Sequence, residues 1–221
     1  MGRILIGWAE VDITPKQTCE LRGQFHVRIA QRINDNLYAS ALALESEEGE
    51  QAVMVSIDAV NVDNAVLENV REQACDMTQG LNPESIFASA THTHSAPSQR
   101  SDYPEQPSDV MTPEEYREFL SNRAAEAVAK AWQNREPGGI GYGISTAFVG
   151  CNRRMTTYSG ESVMYGDTDD PAFSHVEGDE DHWVNVLTTY KENGDITGAV
   201  VNIACPSQVS EQSSFITADY W

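Results

Sequence analysis

Two apolar runs decide the fold class: Leu37-Tyr38-Ala39-Ser40-Ala41-Leu42-Ala43-Leu44 and Ala52-Val53-Met54-Val55-Ser56-Ile57. Between them lies the acidic turn Ser46-Glu47-Glu48-Gly49-Glu50. Runs of strand length bounded by a polar turn predict a β-hairpin. Upstream, residues 4–13 read as a further strand, ended by Thr14-Pro15. Downstream, Asp63 is placed to cap a helix to about Met77, with Val66, Val70 and Ala74 on one face and Gly80 as its stop. Asn82-Pro83 then opens a strand over residues 85–90.

A second helix carries the clearest local signature. Thr112-Pro113-Glu114-Glu115 spells a capping box with proline at the first helical position. Tyr116, Phe119, Leu120, Ala124, Ala127, Val128 and Ala131 follow as one stripe, and Pro137-Gly138-Gly139 reads as its end. Strands are expected over residues 141–149, 183–190 and 197–203, the last two joined by a tight turn at Asn193-Gly194. Strands with interposed helices predict an α/β fold, a layered mixed β-sheet with packed helices. We read residues 1–221 as a single domain.

Two stretches fall outside this pattern. Residues 95–111 are rich in Ser, Pro, Gln and Asp, and residues 150–182 show little periodicity. Loops of that length are functional or disordered more often than inert. The second stretch carries Asp167, Asp169, Asp170, Glu177, Asp179, Glu180 and Asp181, without the ligand spacing of a calcium loop, so a solvated face is expected.

The chain has 14 Lys+Arg against 34 Asp+Glu, a net charge of −20. Such a surface repels phosphate backbones and anionic bilayers, so no nucleic acid is expected as a partner. No apolar run is long enough to span a bilayer, and Met1-Gly2-Arg3 does not open a secretory signal. The default compartment is therefore the cytoplasm, with export left open. Cys19, Cys75, Cys151 and Cys205 are too scattered for a disulfide scaffold.

The chemistry concentrates in Thr91-His92-Thr93-His94-Ser95-Ala96-Pro97, at the end of a predicted strand. In an extended chain His92 and His94 point to one side, a natural arrangement for holding a transition metal such as zinc. Alternatively one histidine binds metal while the other donates a proton or hydrogen bond to substrate. A hydrogen-bonded loop pair without metal is the plainer reading. Asp58, the run Asn152-Arg153-Arg154 and the run from Asn202 to Gln208 also sit at strand ends, where ligands collect in open α/β sheets.

These passages resemble the neutral/alkaline non-lysosomal ceramidase family, in its N-terminal region. The matching elements are Gly7 to Pro15 (GWAEVDITP), Leu21-Arg22-Gly23, Asp35 to Ala41 with Val55-Ser56-Ile57-Asp58, the Thr91 to Pro97 run, Asn152-Arg153, and Ile216-Thr217-Ala218-Asp219-Tyr220. The THTHS-x-P element is the most specific. The resemblance implies a zinc-dependent hydrolase whose metal-activated water cleaves the amide of an N-acyl lipid such as ceramide. It assigns His92 as a zinc ligand and His94 as the neighbour facing substrate. Arg153, or Arg154 if the loop slips by one, becomes a substrate-holding arginine. Asp58 becomes a candidate partner that orients a histidine.

Two departures stand beside it. Where the family carries its second zinc histidine, this chain reads Ala204-Cys205-Pro206-Ser207, which makes Cys205 a candidate thiolate ligand or an inert cysteine. Family members also continue past the position of Trp221, and their remaining glutamate and tyrosine ligands lie there, so the domain is expected to be incomplete at its C-terminus. The alternative is a non-catalytic or truncated ceramidase-fold domain with a partial metal site. His26 reads as structural or substrate-facing, and His175 and His182 as charged surface residues among acids.

Overall fold

The computed structural model describes residues 4–101, 103–104 and 107–221. The Met1-Gly2-Arg3 opening, and Asp102, Glu105 and Gln106 of the Ser/Pro-rich stretch, lie outside the described residues. In chain order the elements are β1 (Ile4–Asp12), β2 (Glu20–Leu21), β3 (Arg28–Ile29), β4 (Arg32–Ile33), β5 (Tyr38–Ser46), β6 (Gln51–Ile57), α1 (Asn64–Asp76), β7 (Ile86–Ala90) and α2 (Pro113–Gln133). There follow β8 (Glu136–Thr146), β9 (Arg154–Thr157), β10 (Ser162–Met164), β11 (Phe173–Val176), β12 (Trp183–Lys191), β13 (Ile196–Ile203) and β14 (Phe215–Ile216). This is the mixed α/β fold that the apolar runs predict.

The chain divides into two compact units. The first comprises Met1–Ile140, Thr189–Gly198 and Pro206–Trp221. All seven strands of the large sheet contribute residues to it, in the order β13-β12-β8-β1-β5-β6-β7. β5 runs antiparallel to both β1 and β6, with Trp8 opposite Leu42 and Leu42 opposite Met54. β7 instead runs parallel to β6, from Val53 opposite Ile86 to Ile57 opposite Ala90. A parallel pair needs a crossover, and α1 supplies it.

One core joins sheet and helices. Ala39, Ala41 and Ala43 of β5, and Val53, Val55 and Ile57 of β6, pack with Val66, Val70 and Ala74 of α1. Tyr116, Leu120, Ala124, Ala127, Val128 and Ala131 of α2 join the same cluster. These are the residues that the helical spacing singles out, apart from Phe119, which packs against the cluster only partly buried, and their burial supplies most of the stability of such a layer. At the start of α2 the capping box forms as its sequence requires: the Thr112 side chain accepts from the Glu115 amide, and the Glu115 carboxylate accepts from the Thr112 amide.

Two local expectations are corrected. Asp63 stands at the N-cap of α1, but its side chain makes no cap hydrogen bond and accepts instead from Asn61. Pro137-Gly138-Gly139 does not end α2, which stops at Gln133, but lies inside β8. A Cβ on Gly138 would sit 2.3 Å from the Tyr190 carbonyl oxygen, so the glycine answers to close strand packing rather than to a turn. The Asn193-Gly194 turn does form, with Gly194 at φ +91°.

The second unit comprises Gly141–Thr188 and Ala199–Cys205. Here residues 150–182, which lack sequence periodicity, fold into the three-stranded order β10-β9-β11. Strands of three or four residues are too short to display an alternating pattern. Several of its carboxylates cap turns: Asp167 accepts from the Asp169 amide, Asp170 from Ala172, and Asp181 from Trp183. Among the described residues no helix is long and apolar enough to cross a membrane.

Candidate active site

The parallel pairing of β6 and β7 brings their carboxyl ends side by side, and the two histidines leave the sheet there. The Thr91 amide still donates to the Ile57 carbonyl at 3.0 Å. Beyond it the chain is not extended as the sequence reading supposes, because His92 adopts φ +64°. A non-glycine residue in this left-handed region is strained, and such strain gathers at functional sites. The rings nevertheless meet, with Nε2 of His92 3.2 Å from Nε2 of His94 and ring centroids 4.9 Å apart.

The Nδ1 atom of His92 lies 2.6 Å from the Val60 carbonyl oxygen. A carbonyl can only accept, so Nδ1 carries the proton and Nε2 presents a lone pair toward His94. That is the donor state a metal requires of a histidine. His92 is therefore in the state that fits a zinc ligand, although no three His, Cys, Asp or Glu side chains form a metal-holding group among the described residues.

His94 is buried and held from several sides. A Cβ on Gly23, which has φ +109°, would lie 2.5 Å from its Cγ, so only glycine allows the ring to sit there. The Gln208 carboxamide nitrogen lies 2.5 Å from His94 Nε2 and 3.2 Å from Nδ1, and a Glu211 carboxylate oxygen lies 3.8 Å from Nδ1. The Arg28 guanidinium donates to the backbone carbonyls of His94, Arg22 and Ser213.

Thr93 and residues 95–97 are buried, and the run is stitched to the chain's last residues. Thr93 Oγ1 donates to the Thr217 carbonyl at 2.8 Å, and the Thr217 amide donates to the Ser95 carbonyl at 3.2 Å. Asp35 anchors the same segment, accepting from Thr217 Oγ1 and from the Ala218 amide, each at 2.7 Å. Burial works to raise the Asp35 carboxyl, but hydrogen bonds from Thr217, Ala218 and Asn34 hold it below its ordinary value. The motif elements around Gly23, Asp35, His92 and Thr217 thus belong to one hydrogen-bonded assembly.

Asp58 is not the group that orients His92. Its carboxylate accepts from the Tyr38 amide at 2.8 Å, while His92 turns to the Val60 carbonyl. Burial pushes the Asp58 carboxyl up to about 6, against the lowering effects of the Tyr38 amide and the Thr91 hydroxyl.

Arg153 belongs to the second unit, where its guanidinium covers the Tyr165 ring at 4.5 Å, and Arg154 is paired with Glu177 at 2.6 Å. Cys205 is also in that unit, with its sulfur 3.2 Å from where a Cβ on Gly150 would stand. His26 and His175 are exposed, and His182 stands 3.4 Å from Glu180. Sequence reasoning passed over Arg28, Val60 and Glu211. Val60 acts through its backbone, which no side-chain pattern reveals.

No family model matches the chain, and no curated protein matches it by sequence. Solved structures do. The neutral ceramidase from Pseudomonas aeruginosa matches with a TM-score of 0.74 at 20% identity, over 99% of this chain and 34% of that one. A ceramidase structure described as complexed with C2 matches with a TM-score of 0.70 at 19% identity, over the same shares. The chain therefore spans about a third of the ceramidases it matches, and it has their fold.

Proposed function

We propose that the chain is the His-bearing part of a zinc-dependent hydrolase that cleaves the amide bond of an N-acyl, ceramide-like lipid. The observation that carries this reading is the pair His92 and His94, 3.2 Å apart at Nε2, with His92 locked as a lone-pair donor by Val60. The ceramidase fold of the structural neighbours supports the substrate class.

His92 would hold the zinc, together with a ligand from the segment after β13. When bound, zinc supplies Lewis acidity, lowering the pKa of water and polarising an amide carbonyl. His94 is placed to donate to the reacting group, because Gly23, Gln208 and Arg28 fix its ring and backbone. Arg153 is proposed to contact substrate.

The test is zinc content together with release of fatty acid from a short-chain ceramide, in the chain and in any longer protein that contains it. Stoichiometric zinc that is lost in His92→Ala, with turnover in the longer protein, supports the reading. Zinc bound without turnover in that longer protein favours instead a non-catalytic domain of the same fold, for which Ala204-Cys205-Pro206-Ser207, with no histidine, is the motive.

A further inference from the structure

We propose that Gln208 supplies a side-chain oxygen ligand to the cation at His92, in the place that Cys205 takes by sequence position. The inference rests on the reading of His92 as a metal ligand.

Three polar tips share one space: His92 Nε2 is 3.2 Å from His94 Nε2, which is 2.5 Å from the Gln208 carboxamide nitrogen. A carboxamide carries its nitrogen and oxygen on the same carbon, so a half-turn exchanges them without moving the chain. Where His94 Nε2 carries no proton the N–H end turns inward; where it carries one, as donation to the lone pair of His92 Nε2 requires, the oxygen end does. Facing a cation, the oxygen end does so as well. The two orientations are the two states of one well-placed group.

The backbone that presents Gln208 is braced on both sides. Ser207 is fully buried, its hydroxyl donating to the Ala218 carbonyl at 3.0 Å and its amide to the Thr91 carbonyl at 3.3 Å. The Ser210 amide donates to Asp219, itself held at φ +70°. A side chain projected from such a frame is confined to a narrow region, as a ligand must be. Cys205 belongs to the second unit, where its sulfur lies against Gly150. A histidine–carboxamide set adds no negative charge, so the cation keeps more of its Lewis acidity than beside a thiolate.

The experiment uses the full chain, loaded with zinc in competition with a chromophoric chelator and separately with cobalt(II) for absorption spectra. Gln208→Ala should weaken zinc by at least about tenfold, and Gln208→Glu, which keeps an oxygen donor, should restore it. Cys205→Ser should bind as the wild type does, and the cobalt form should lack a sulfur-to-metal charge-transfer band. Wild-type affinity in Gln208→Ala, or a charge-transfer band that disappears in Cys205→Ser, overturns the assignment of Gln208 while leaving His92 in place. Zinc binding that survives His92→Ala overturns the underlying reading as well.

Discussion

The Val60 carbonyl accepts a 2.6 Å hydrogen bond from Nδ1 of His92, and this contact fixes which ring nitrogen faces His94. Val60 lies three residues beyond the end of β6, and His92 two beyond the end of β7. The parallel register of those strands therefore sets a tautomer. Because the acceptor is backbone, no substitution at Val60 removes it. The informative change is at the histidine. His92→Asn should lower zinc affinity at least about tenfold, a loss read by elemental analysis after dialysis, with the fold retained by circular dichroism. Unchanged metal content would show that His92 is not a ligand.

Gly23→Ala should disturb the site and the fold together. Its Cβ would meet His94 at 2.5 Å, and φ +109° suits glycine alone. A cost of about 1–3 kcal/mol is expected from the backbone strain, before any repacking of His94. Urea denaturation of Gly23→Ala checks it, and a stability equal to the wild type would mean that the ring moves aside freely.

Asp35→Ala should release the segment that carries Thr217 and Ala218, because both 2.7 Å hydrogen bonds to the carboxylate are lost. Each bond to a charged acceptor is worth about 1.5–3 kcal/mol, and the freed backbone becomes a protease target. Limited proteolysis should cut this variant near residues 216–219 under conditions that leave the wild type whole. Equal resistance would show that Thr93 and Ser207 hold the segment unaided.

Asp58 and Asp35 predict opposite pH effects. Asp58 binds its proton more tightly when folded, with its value raised from 3.8 to about 6. Its contribution is fully present below the unfolded value and is lost as pH rises through about 6. Asp35, held low, contributes stability above its unfolded value that is lost as pH falls. Asp58→Asn should therefore remove a decline in stability between pH 4 and 6, amounting to about 3 kcal/mol at most. Chemical denaturation of both proteins across that range measures it, and parallel pH curves would contradict the assignment.

Much of the fold is legible in the residues because its longest elements obey a period. The β5–β6 hairpin and α2 announce themselves through apolar runs and a capping box that forms as written. The small sheet of β9 to β11 does not, since its strands hold three or four residues each. Gly138 misleads for a related reason. A glycine marks a turn or a close approach, and only the packing of Tyr190 against it decides which.

The site is legible in a different measure. The His92 and His94 pair stands out by spacing, yet the extended strand invoked to join them is absent at His92, and the rings meet through a strained backbone instead. Gln208 carries no motif of its own. Its position depends on the folded course of residues 206–211, which the Ser207 and Ser210 hydrogen bonds determine.

The most direct test of the central claim is zinc stoichiometry by elemental analysis on purified chain, wild type beside His92→Ala. The account predicts about one zinc per wild-type chain, by analogy with single-metal hydrolases, and none retained in the variant. Wild-type protein that binds no zinc, or a variant that binds it equally well, would contradict it.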